Sequence, residues 1–188
     1  KLNIAAVGIG GMGNANLKNM EKTENIVALC DIDWKYSKGV FERHPNAKKY
    51  WDYRKMYDEM GKSIDAVLIA TADHTHAMIT ADAMTMGKHV YTQKPLTHSV
   101  YESRLLTKLA ASTGVATQMG NQGSSDEGTD LVCEWIWNGE IGDVSMIQAN
   151  FGSYKDYDMK NRFFNMNLAG GAMLDILSLI HISEPTRR

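Results

Sequence analysis

The glycines of Gly8-Ile9-Gly10-Gly11-Met12-Gly13 follow directly on an apolar run and precede residues able to start a helix. That order has a chemical use. Gly8, at the end of a buried strand, permits a tight turn. Gly10 lets the backbone approach a pyrophosphate, and Gly13 lets the helix pack close to the strand, while the helix start supplies the positive end of its dipole. Asp31 ends a second apolar run, where a carboxylate can accept both hydroxyls of an adenosine ribose. Gly8, Ile9, Gly10, Gly11, Met12, Gly13 and Asp31 therefore read as a dinucleotide site. A carboxylate at that place repels the extra phosphate of NADP, and no Arg occurs between Asp31 and Phe41. NAD is the expected cofactor, with Lys35 and Lys38 keeping NADP open as the minor choice.

A second set of reactive side chains lies further on, in Thr71-Ala72-Asp73-His74-Thr75-His76 and in Gln93-Lys94-Pro95. Loops at the carboxyl ends of strands in an open α/β sheet face the ligand crevice. Lys94 is placed there to reach a nicotinamide or a substrate oxygen, and Pro95 would fix the turn that aims it. His76 reads either as a cofactor-side contact or as a helix-capping or core histidine. Asp73, His74 and His76 could suggest a metal, but the rest of the chain supplies no convincing ligand set, so no metal site is expected.

These residues need elements to hold them. Apolar runs at Leu2–Gly8, Asn25–Asp31, Ala47–Trp51, Asp65–Ala70, His89–Gln93 and Val115–Met119 predict short strands. Between them, helices are predicted at about Met12–Glu21, over Tyr36, Val40 and His44, over Asp52–Met60, over Ala77, Met78, Ala81 and Met84, and over Tyr101, Leu105, Leu106, Leu109 and Ala110. Alternating strands and helices mean βαβ units, hence an α/β fold with a doubly wound parallel sheet over residues 1–120. The polar stretch Asn121–Gly128 is the expected domain boundary. Beyond it, Leu131, Val132, Trp135 and Ile136 predict a helix closed by Asn138-Gly139, and Val144–Phe151 predicts a strand.

Composition narrows the function classes. The 188 residues carry a net charge of −2 with no basic block, which argues against nucleic acid and against a polybasic membrane patch. No apolar run is long enough for a membrane-spanning helix. Cys30 and Cys133 each stand alone, giving neither a disulfide framework nor zinc spacing. The twelve methionines read as adaptable core filler.

The motifs AVGIGGMG (Ala6–Gly13), CDID (Cys30–Asp33), DAVLIAT (Asp65–Thr71), GKHVYTQKP (Gly87–Pro95), ATQMGNQG (Ala116–Gly123), the turn at Gly139–Asp143 and GGAMLDI (Gly170–Ile176) resemble, in order and spacing, the glucose–fructose oxidoreductase / inositol dehydrogenase (Gfo/Idh/MocA) family. The resemblance implies a Rossmann domain followed by an α/β domain on a mostly antiparallel sheet, of which residues 121–176 would be the incomplete start. It implies NAD- or NADP-dependent oxidation or reduction of a sugar, cyclitol or related polyol, by a full-length parent that forms homo-oligomers. It makes Lys94 and Asp175 the catalytic candidates and sets Thr71, His76, Gln93 and Lys94 beside the cofactor. Gln93 replaces the commoner glutamate of the family's Glu-Lys-Pro turn and cannot pair ionically with a neighbouring cation. Two alternatives stand beside a dehydrogenase: an NAD-dependent glycoside hydrolase using transient sugar oxidation, and a non-catalytic dinucleotide-binding protein.

Both ends read as cut. The chain opens on Lys1 without an initiator Met, so both a cytoplasmic and an exported location stay open. Leu177–Arg188 (LSLIHISEPTRR) resembles the translation of a transposon-end adapter used in DNA library preparation, and is expected not to be native. It stands where the family element would continue from Asp175-Ile176 to a histidine at position 179, which here is Leu179. The 188-residue chain is accordingly expected to be inactive.

Overall fold

The computed structural model describes residues 1–121 and 127–148. Its elements alternate as β1 (Asn3–Val7), α1 (Gly11–Met20), β2 (Asn25–Cys30), α2 (Lys38–Arg43), β3 (Lys48–Tyr50), α3 (Tyr53–Met60), β4 (Ala66–Ile69), α4 (His76–Thr85), β5 (His89–Gln93), α5 (Val100–Thr113), β6 (Thr117–Gly120) and α6 (Glu127–Trp137). The strands form one parallel sheet in the order β3-β2-β1-β4-β5-β6. This is the doubly wound Rossmann arrangement, and its strand order reverses between β1 and β4, where ligands bind at the carboxyl ends.

The strands are short and apolar because alternate residues are buried on opposite faces. Ala5, Val7, Ala28, Cys30, Val67 and Ile69 pack with residues of α3, α4 and α5. Ile4, Ala6, Leu29 and Leu68 pack with Leu17 of α1 and with Val40 and Phe41 of α2. Local signals set the helix ends. The Asp52 side chain caps α3 by accepting from the Arg54 amide at 2.9 Å. Ser99 and Glu102 form a reciprocal capping box on α5, which stops at Gly114 in the left-handed region.

Several expectations are corrected. Tyr36 does not share a helix face with Val40; it lies in the turn before α2 and is 70% exposed. The cause is the Asp33 carboxylate, which accepts from the Tyr36 amide at 2.9 Å and sets a turn ahead of the helix. In α4 the buried side is broader than the expected stripe and includes His76, Ile79, Thr80 and Ala83, while Met78 is exposed, because α4 packs on both the sheet and α5. On α5 only Leu106 is fully buried, and Tyr101 and Leu105 are exposed. The helix α6 begins inside the expected boundary stretch and buries none of its residues. Residues 144–148 form no strand, since no described strand pairs with them. The rest of that expected strand, Asp175, the remainder of the expected second domain to residue 176 and the tail 177–188 lie outside the described residues.

Candidate functional site

The carboxyl ends of β1, β2, β4 and β5 open onto one cleft of about 860 Å³. It is lined by Gly8, Gly10, Gly11 and Met12 after β1, by Asp31 after β2, by Thr71 and His76 after β4, and by Gln93 and Lys94 at the end of β5. Ile9 and Gly13 do not line it. Asp175 lies outside the described residues.

The glycine loop is fixed by close main-chain contacts. Gly8 has φ +77°, and a Cβ there would lie 2.6 Å from the Ala70 carbonyl oxygen. A Cβ on Gly13 would lie 1.9 Å from the Gly8 carbonyl oxygen, the tight helix–strand approach expected of that position. Ile9 is wholly buried, and its amide donates to Asp31 Oδ2 at 2.8 Å. With its amide committed to Asp31, Ile9 anchors the loop.

Asp31 is a hub. Oδ2 accepts from the Ile9 amide and from Ser37 Oγ at 2.7 Å, and Oδ1 accepts from the Asp33 amide at 2.9 Å. A carboxylate offers about four acceptor sites. One remains, on Oδ1, open to a further donor. Beneath it, burial pushes the Cys30 thiol up to about 12, and the neighbouring Asp31 and Asp52 carboxylates reinforce the shift.

Lys94 extends from the end of β5. Its amide donates to Gln93 Oε1 at 3.3 Å, and the Lys94–Pro95 peptide is cis. Gln93 is buried with its carboxamide against β6, where a Cβ on Gly120 would lie 2.6 Å from Nε2. The His76 ring is 1% exposed, with Nδ1 2.7 Å from the Pro95 carbonyl oxygen and Nε2 3.1 Å from that of Thr71. It joins the loop after β4 to the turn that carries Lys94. Both ring nitrogens thus meet main-chain carbonyls, which favours the core reading of His76 over a direct cofactor contact. Among the described residues, no three His, Cys, Asp or Glu side chains group to hold a metal.

Sequence reading missed Tyr36, Ser37, Asp52 and Arg54, all of which line or brace this cleft. The spacing of Asp31, Asp33 and Ser37 carries a turn signal that could have found the first two. Nothing local marks Asp52 and Arg54, which reach the cleft because β3 pairs with β2. The Arg54 guanidinium lies 4.7 Å from the Tyr53 ring centroid and 3.5 Å from Asp52 Oδ1.

A dinucleotide fits these residues. Gly10 ends its strand-to-helix turn with no side-chain cap, and the first turn of α1 holds no acidic residue. The first helical amides therefore await an acceptor, the condition in which a helix start binds phosphate. Residues 2–121 match the oxidoreductase family with the NAD-binding Rossmann fold, GFO_IDH_MocA.

The chain belongs to the GFO_IDH_MocA family.

Inositol 2-dehydrogenase of Salmonella typhimurium is 26% identical over 153 residues, which are 79% of this chain and 45% of that protein. Glycosyl hydrolase family 109 protein 1 of Akkermansia muciniphila is 32% identical over 113 residues, 54% of this chain and 23% of that protein. The WlbA dehydrogenase of Bordetella pertussis, solved with NADH and UDP-GlcNAcA, superposes with a TM-score of 0.67 at 19% identity, over 76% of this chain and 43% of that one. The chain spans about half the length of the inositol dehydrogenases it matches. What it shares with the GFO_IDH_MocA family over residues 2–121 is the NAD-binding Rossmann unit, and no described helix is long and apolar enough to cross a membrane.

Proposed function

We propose that this chain is the cofactor-binding part of an NAD-dependent oxidoreductase acting on a carbinol of a sugar, cyclitol or related polyol. The observation that carries the reading is that Lys94 and the glycine loop line one cleft. The resemblance to inositol 2-dehydrogenases supports the substrate class. When bound, the nicotinamide supplies or accepts the hydride. Lys94 is the cation that binds the substrate oxygen, stabilises the charge developing there and lowers the cost of moving its proton. Asp175 orients the site. Asp31, with Asp52 nearby, selects NAD over NADP by repelling a 2′-phosphate. Turnover and homo-oligomer formation belong to a chain of the relatives' full length, and residues 1–188 alone bind NAD without turning over a polyol.

The test is a panel of polyols followed at the nicotinamide absorbance band, in a chain extended to full length. Lys94→Ala should lower kcat about a hundredfold or more while NAD affinity changes little, since its interaction strengthens in the transition state. Equal losses in binding and turnover would make Lys94 a binding residue. The 32% identity to a glycosyl hydrolase keeps a second reading, in which NAD is recycled. Glycoside hydrolysis without net change at the nicotinamide band would establish that reading instead.

A further inference from the structure

The glycine of a dinucleotide fingerprint that must admit the pyrophosphate is the second, here Gly10. In this chain the space beside Gly10 is already shaped by a side chain. A Cβ at that position would lie 2.3 Å from Cε1 and 2.5 Å from Cδ1 of Tyr36. The Tyr36 hydroxyl lies 3.5 Å from where a Cβ of Gly11 would stand, so it sits over the first residue of α1. This placement is built. The Asp33 carboxylate accepts from the Tyr36 amide at 2.9 Å, the Ser37 amide donates to the Asp33 carbonyl at 3.0 Å, and Ser37 Oγ is held by Asp31. The same Asp31 holds the Ile9 amide. One carboxylate therefore registers the turn bearing Tyr36 against the glycine loop.

An exposed tyrosine ring on a turn has no packing reason to lie there, since Tyr36 is 70% exposed and belongs to neither core cluster. The glycine loop itself presents no cation, and its donors are the first amides of α1. A phenol hydroxyl beside those amides adds a neutral donor where an anionic diphosphate would rest. Resting on the reading of this cleft as a dinucleotide site, we propose that Tyr36 is a cofactor-contacting residue: its ring walls the glycine loop and its hydroxyl donates to the diphosphate of the bound dinucleotide.

The experiment is calorimetric titration of NAD, ADP and adenosine into the 188-residue chain and its Tyr36→Phe variant. Tyr36→Phe keeps the ring and removes only the donor, and unfolding curves check that both chains are equally folded. The variant should lose about tenfold in affinity for NAD and for ADP, the scale of one hydrogen bond to a charged group. Adenosine, which has no phosphate, should bind both chains alike. Unchanged NAD and ADP affinity in Tyr36→Phe, with wild-type binding intact, overturns the proposal and leaves the dinucleotide reading standing. An equal loss for adenosine also overturns it, because the contact would then be to the nucleoside. Tighter NAD binding by Tyr36→Ala than by wild type would show that the ring obstructs the cofactor, against the proposal. Failure of wild type to bind any of the three ligands would overturn the dinucleotide reading itself, and the proposal with it.

Discussion

At the glycine-loop end of the cleft, main chain meets main chain: Gly13 packs against the Gly8 carbonyl, and Gly8 against the Ala70 carbonyl, at distances that leave no room for a Cβ. At the Lys94 end, side chains do the positioning. His76 spans the Thr71 and Pro95 carbonyls, and the Gln93 carboxamide lies against Gly120. The contrast explains why one end is written in spacing and the other is not. A backbone close approach requires glycine wherever it occurs, whereas a brace between two loops can be built from several residue types. Under the proposed function it also separates two tasks, with the rigid end for the cofactor and the braced end for Lys94.

The comparison breaks most forcefully at Gly13. Gly13→Ala places a Cβ on a main-chain carbonyl that has no room to yield, so it should destabilise the chain by about 3 kcal/mol or more in urea unfolding and abolish NAD binding. Gly39→Ala, inside α2 with nothing within 4 Å, is the control and should stabilise by about 0.5–1 kcal/mol. A Gly13→Ala chain as stable as wild type would show that the loop is not held by its backbone.

A smaller effect is expected at the braced end. His76→Ala removes a buried ring and its hydrogen bonding to the main chain, a loss of about 2–4 kcal/mol in unfolding free energy. Its NAD affinity should change by less than about threefold once the protein is folded, because both ring nitrogens face main-chain carbonyls. A loss of NAD affinity larger than that would make the ring a cofactor contact.

The core beneath the glycine-loop end should respond to alkali. Burial pushes Cys30 up to about 12 from 9.0, helped by Asp31 and Asp52. It pushes Tyr53 up to about 12 from 10.0, helped by the Asp82 hydrogen bond. The folded chain keeps protons that the unfolded chain releases, so stability is complete below about pH 9 and falls as pH rises toward about 12. Urea midpoints on either side of about pH 9 check the sign, and a midpoint that rises with alkali would contradict it.

The smallest perturbation compares Cys30 with Cys133. Cys30 is buried under the sheet crest, while Cys133 lies on α6, which buries none of its residues. Mass spectrometry after brief alkylation of the native chain should find Cys133 labelled and Cys30 unlabelled until the chain unfolds. Equal labelling would mean that the two regions are equally open.

Alternation of apolar runs and helix signals made the sheet legible, and β5 spans the expected residues. Helix faces were less legible. On α4 the apolar stripe gave Met78 as buried, but contact with α5 and the sheet together turned another side inward. On α2, one hydrogen bond from Asp33 moved Tyr36 out of the helix and onto the glycine loop. Gly8, Gly10, Gly11, Met12 and Asp31 line the cleft that their spacing had pointed to. Asp52 and Arg54 were not, since strand pairing alone brings them to the cleft.

The most direct measurement is side-by-side calorimetric titration of NAD and NADP into the wild-type chain and its Asp31→Ala variant. The wild type should bind NAD about tenfold or more tighter than NADP, the scale of one repelled phosphate at the surface of a cleft. Asp31→Ala should weaken NAD and bring the two cofactors close to parity. Unchanged NAD affinity in the variant, or a wild type indifferent to the extra phosphate, would contradict the central role assigned to Asp31 and the glycine loop.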